Sequence, residues 1–115
     1  MEDFQDYESL NRSAISIKPL QPFLDWINSV DGDDVITFED VDTEIYLVPE
    51  FEVEEDMNNW FDENYDTLFC NQMNGWYPET DVWIKDRTIE MFYEMFDVSY
   101  ISMIWDTELE GIEKN

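Results

Sequence analysis

Histidine is missing from this chain, and there is one cysteine, Cys70. Without histidine there is no Ser-His-Asp or Cys-His nucleophile arrangement. Histidine-ligated and multi-cysteine zinc are excluded with it. A lone cysteine rules out an internal disulfide and fits a reducing compartment. Glycine is scarce too: the three present match neither a P-loop nor a dinucleotide-binding fingerprint. Cations are the most telling shortage. Five Lys and Arg stand against thirty Asp and Glu, a formal charge of −25. Nucleic acid and anionic membranes are bound through Lys and Arg, so direct contact with either is not expected. There is no run of about 18 apolar residues, hence no expected membrane span. The opening MEDFQDYESL is acidic and lacks the apolar segment of a secretory signal. The expected location is the cytoplasm.

What is present argues for a folded domain. Acidic disordered chains are poor in aromatics, whereas this one has 17% aromatic and 43% hydrophobic residues. Its 115 residues are enough for one domain.

The organising stretch runs from Ile15 to Val30. Ile15 and Ile17 alternate with Ser16 and Lys18, the pattern of a half-buried strand. Pro19 and Pro22 bracket a turn, and Pro22 suits a first helical position. Phe23, Ile27 and Val30 then recur at helical spacing, flanked by Leu24 and Trp26, and Asp31-Gly32 is read as a left-handed stop. Thr37 caps a short helical turn ending at Asp40. Ile45 to Val48 is an unbroken apolar run, which suits an inner strand. Paired parallel with the first strand, it would complete a right-handed βαβ crossover.

Val53 to Trp76 is the longest periodic segment. Met57, Trp60, Phe61, Tyr65, Leu68, Phe69 and Met73 share a broad helical face, while Glu54, Glu55, Asp56, Asp62, Glu63 and Asp66 cluster mostly elsewhere. Asn74-Gly75 is the stop. Asp86 is read as the cap of a helix from Arg87 to Phe96, with Ile89, Phe92 and Phe96 inward. Val98 to Trp105 is a third strand, rich in β-branched and aromatic residues. The expected organisation is a partly ordered acidic tail over residues 1–12, a single domain over 13–106 and a frayed acidic end over 107–115. The expected class is α+β: a two-layer α/β sandwich with about three strands and two to three helices mainly on one face.

The candidate chemistries each have a plain counterpart. Paired carboxylates can act as acid and base, but thirty acidic residues supply close pairs by chance. Asp31-Gly32-Asp33-Asp34 invites a calcium loop, yet placing Gly32 at the sixth position puts Ile27 and Phe38 where the first and last ligands belong. An irregular oxygen site for calcium or magnesium stays open beside the simpler reading of a solvated turn. Cys70 falls on the apolar side of the long helix with no neighbouring cation to activate it, so it is read as a small hydrophobe. Trp76, Tyr77 and Trp83 lie in or beside a loop. They either anchor a partner or fasten the loop to the core, and the second reading is favoured.

Three further patterns belong together: Lys18-Pro19-Leu20-Gln21-Pro22-Phe23-Leu24-Asp25-Trp26-Ile27-Asn28, Tyr46-Leu47-Val48-Pro49-Glu50, and Arg87 through Glu90-Met91-Phe92 to Phe96-Asp97. With them the chain, from about Ser13 to Asp106, resembles a group of small, acidic, uncharacterised bacterial proteins with no established activity. The resemblance implies one intact domain of bacterial type and carries over no functional residue.

The functional expectation is a non-enzymatic acidic binding or regulatory protein that recognises a basic protein surface, nucleic-acid mimicry being one way to do so. The partner-binding residues are Glu54, Glu55, Asp62, Glu63, Asp66, Trp76, Tyr77 and Trp83. No catalytic, cofactor or metal residue is assigned. The alternatives are a carboxylate-based or divalent-metal-dependent enzyme, and a domain whose acidic surface only keeps it in solution.

Overall fold

The structure is a computed structural model that describes residues 6–115. Its central element is strand β2 (Ser13–Pro19), where the sequence alternates. Strand β3 (Glu44–Val48) pairs with one side of β2 and strand β4 (Phe96–Ile101) with the other, giving the order β3-β2-β4. Both pairings are antiparallel. Odd positions of β2 point toward the helices, and Ile15 and Ile17 are fully buried there. Even positions face away: Ala14 lies between Leu47 and Ile101, and Lys18 stands opposite Asp97.

Two expectations about β3 are corrected. There is no βαβ crossover, because β3 runs antiparallel to β2. Helix α1 (Gln21–Val30) turns the chain back along the sheet, and residues 31–43 carry it back again before β3 begins. The Asn28 side chain holds that return segment beside α1. Its Nδ2 donates to the Ile36 carbonyl at 3.0 Å and its Oδ1 accepts from the Ile36 amide at 2.8 Å. The turn Phe38–Asp40 closes it with a capping box between Thr37 and Asp40, so Thr37 is the expected cap. Nor is β3 an inner strand. It is an edge, with Ile45 and Leu47 exposed.

Helix α1 places Pro22 in its first turn and buries Phe23, Leu24, Trp26 and Ile27. It ends where Asp31 goes extended, and none of the glycines has positive φ, so the left-handed stop at Asp31-Gly32 is not formed. Helix α2 (Glu54–Asn74) buries Met57, Phe61, Leu68, Phe69 and Met73. Helix α3 is shorter than its pattern implies, spanning Ile89–Met95. Asp86 does not cap it. Asp86 is the one non-glycine with positive φ among the described residues, at 56°, a conformation Asp tolerates in turns. Thr88 is the cap, accepting a bond from the Met91 amide at 3.1 Å.

The three helices cover one face of the sheet, and the expected α+β class is the one observed. Phenylalanines join the layers. Phe96 of β4 meets Phe23 of α1 at 4.6 Å and Phe92 of α3 at 4.7 Å, while Phe61 and Phe69 of α2 approach Phe92 edge-on at 5.2 and 5.5 Å. Such contacts are worth about 0.5–1.5 kcal/mol each beyond area burial.

The expected third strand is split. β4 stops at Ile101, and Trp105–Asp106 (β5) pairs antiparallel with Glu8–Ser9 (β1) as a separate two-stranded ribbon. The Leu10 amide donates to the Ile104 carbonyl at 2.7 Å at its base. Ser13, fully buried where β2 begins, marks the break. Its hydroxyl donates to the Ser102 carbonyl and accepts from the Phe51 amide, both at 3.3 Å. No helix among the described residues is long and apolar enough to cross a membrane.

Candidate functional site

Helix α2 carries most of the partner-binding residues read from the sequence. Glu54, Glu55, Asp62, Glu63 and Asp66 are all exposed. At about 100° per residue Glu55, Asp62 and Asp66 fall on one line, with Glu54 and Glu63 to either side. With Asp56, these six carboxylates span about 18 Å of axis, a mean of about 3.6 Å per interval, in two groups, Glu54–Asp56 and Asp62–Asp66, about 9 Å apart. One strand of DNA carries its phosphates at about 3.4 Å.

Asp66 differs from the rest. Its carboxylate accepts from Arg87 Nε at 2.7 Å and Nη2 at 3.3 Å, a forked contact that raises the Arg87 pKa. This is the one ion pair among the described residues. At the surface such a pair contributes about 0–1 kcal/mol. Its clearer effect is to tie the lead-in of α3 to α2, since Arg87 Nη1 also donates to the Ile84 carbonyl at 2.8 Å.

Trp76, Tyr77 and Trp83 are half-buried and packed against the core. The polar groups of Tyr77 and Trp83 are used inside the molecule. Trp83 Nε1 donates to the Tyr77 carbonyl at 2.7 Å, and the Tyr77 hydroxyl donates to the Ile27 carbonyl at 2.9 Å. Trp26 reciprocates, with Nε1 donating to the Val82 carbonyl at 3.0 Å and its ring edge-on to Tyr77 at 5.5 Å. These bonds fasten residues 76–83 to α1. They leave partly open rings, with no free donor on either indole of the pair. The acids of the first turn of α2 and the aromatics beyond its end are separated by the helix length, about 30 Å. They are two patches, not one.

Cys70 is half-buried, and burial pushes its thiol pKa up. Arg87 opposes this, so a cation does come near, contrary to the sequence reading, but burial is the larger cause. The thiol therefore stays protonated at neutral pH. The Asp31–Asp34 segment is an exposed turn in which Asp31 Oδ1 accepts from the Asp33 amide at 3.0 Å. No group of three or more His, Cys, Asp or Glu side chains among the described residues is arranged to hold a metal ion.

No family model, curated protein or solved structure matches the chain.

Two features escaped the sequence reading. One is a polar cluster between α2 and β3, where Gln72, itself buried, donates to Glu44 and, at 2.8 Å, to the Tyr46 hydroxyl. Asn71 donates to the same hydroxyl at 2.7 Å, and burial raises the Tyr46 pKa. Every member has its partner, so the cluster locks the edge strand onto α2. The other is a cleft of about 280 Å³ beside the first turn of α2, lined by Phe51, Glu52, Val53, Glu54, Met57 and Tyr100, together with the buried Ser13 and the exposed Ser102. Glu54 and Met57 carried a signal in the sequence, as members of the acidic and apolar sides of the long helix. Periodicity does not report that residues 51–57 meet Ser13, Tyr100 and Ser102.

Proposed function

We propose that this is a non-enzymatic acidic binding or regulatory protein of the cytoplasm that recognises a basic protein surface through the exposed face of α2. The observation that carries the reading is uncompensated charge: a formal −25 with one ion pair among the described residues. Such a surface steers cationic partners and keeps phosphate backbones away. The spacing along α2 is compatible with a partner that ordinarily binds nucleic acid, which makes mimicry the specific form of the proposal. Trp76, Tyr77 and Trp83 would serve as a second contact through their open ring surfaces, since the polar groups of Tyr77 and Trp83 are already engaged. The small acidic bacterial group that the motifs resemble is the family expected to share this role.

The test is affinity capture from a lysate of the source organism at low salt, with elution by salt. It compares the native chain with one carrying Glu55→Lys, Asp62→Lys and Glu63→Lys. The expected result is a basic protein that the native chain retains, that the reversed chain loses, and that added DNA displaces. Retention that ignores the three reversals, or no salt-eluted partner at all, overturns the reading.

A further inference from the structure

The cleft beside the first turn of α2 has a composition of its own. Val53 and Met57 give it an aliphatic wall, Phe51 and Tyr100 contribute rings, and Glu52 and Glu54 stand exposed at its rim. The buried Ser13 hydroxyl offers little to a ligand, because it is already engaged by Ser102 and Phe51. A helix N-terminus ordinarily attracts anions. Here the first turn holds Glu54, Glu55 and Asp56, and Glu50 and Glu52 precede it, so an anion meets five carboxylates and no lining cation. A purely apolar ligand would desolvate the rim carboxylates without pairing them. Tyr100 packs edge-on to Phe61 at 6.4 Å and meets the Tyr93 hydroxyl at 3.2 Å, so its ring is held in place. Burial raises its pKa, with smaller contributions from Tyr93 and Glu54, and Glu54 and Tyr100 line the same cleft.

We propose that this cleft takes a single lysine or arginine side chain of the protein partner, its aliphatic stem along Val53 and Met57 and its charged head at Glu52, Glu54 and the flanking rings. The assignment rests on the basic-partner reading above and locates its anchor. A long cationic side chain is amphipathic in the way the cleft is, with an apolar stem and a charged end. Aromatic rings beside carboxylates favour a cation over a neutral group of the same shape. The exposed carboxylates of α2 then supply encounter, and the cleft supplies register.

The experiment is an NMR titration of the isotopically labelled full chain, in salt of about 0.15 M so that distant charges are screened beyond roughly 8 Å. The probes are a blocked Gly-Gly-Lys-Gly-Gly peptide and the same peptide acetylated on the lysine amine. The expected result is saturable shifts at Val53, Glu54, Met57 and Tyr100 with the first probe and none with the second. The double substitution Glu52→Gln, Glu54→Gln removes only exposed charges, so the fold survives it, and it should weaken binding roughly three- to tenfold. Shifts spread along Glu55, Asp62 and Glu63 with the cleft silent would overturn the cleft and leave the acidic-face reading standing. Equal shifts with the acetylated peptide would overturn the cation assignment. No shifts with either peptide, together with no salt-eluted partner in the capture experiment, would remove both.

Discussion

The helix-covered body and the β1–β5 ribbon use the same kinds of residue to opposite effect. In the body Ile15, Phe23, Ile27, Phe69 and Phe92 are fully buried. Around the ribbon Tyr7, Met103, Trp105, Leu109 and Ile112 are exposed, Leu109 almost completely at 98%. The difference lies in what stands opposite. A sheet buries a face only when another layer covers it. Three helices cover β2 and its neighbours, whereas each ribbon strand has two residues and pairs with the other. The lesson is that apolar content locates what can be buried, and the arrival of a second layer decides what is.

The largest expected effect sharpens that contrast. Phe92 touches Phe61, Phe69 and Phe96, so Phe92→Ala should cost about 3–5 kcal/mol in chemical denaturation. Trp105→Ala removes a larger side chain from the exposed ribbon and should stay within about 0.5 kcal/mol. Equal losses would show that the ribbon is packed against something in solution, and the comparison would break.

A second contrast concerns alkali. Burial raises the phenol pKa values of Tyr46, Tyr77 and Tyr100, the last most strongly. An unfolded tyrosine ionises near about pH 10. The unfolded chain therefore releases these protons first. The stabilisation is complete below that pH and is lost as pH rises toward the folded values. Urea midpoints should be flat from neutral pH to about 9 as far as tyrosine is concerned, then fall. Tyr100→Phe keeps the ring and should make the fall shallower. An unchanged alkaline limb would mean that Tyr100 is as wet as the ribbon.

A smaller loss than at Phe92 tests a boundary within the body. Thr88 caps α3 through the Met91 amide, so Thr88→Ala should cost about 1 kcal/mol, read from the denaturation midpoint. Asp86→Ala should also destabilise, because alanine disfavours the positive φ there. Insensitivity at Thr88 would return the cap to Asp86.

The parts legible in the sequence are those whose signal is periodic and local. Alternation through Ile15 and Ile17 marks β2, and the three-four spacing from Met57 to Met73 marks α2, because each pattern follows from the geometry of one element against one apolar layer. Thr37 was legible as a cap for the same reason: its partners lie within three residues. The acidic face of α2 was legible as composition, and its members are exposed as a polar face requires.

What the sequence by itself determined, then, is the existence and type of the main elements, the identity of most of the core, and a surface that repels anions. The tertiary structure alone decided the direction of β3, which depends on how Asn28 holds Ile36 beside α1. It alone divided Val98–Trp105 between two sheets, since that break lies where Ser13 reaches Ser102 across the fold. It chose α1 as the element that Tyr77 fastens to, and it assembled the cleft from Phe51, Glu54 and Tyr100. The physical reason is common to all four. Periodicity reports which residues avoid water, while pairing, direction and convergence depend on contacts between segments far apart in the chain, which leave no repeating trace in either one.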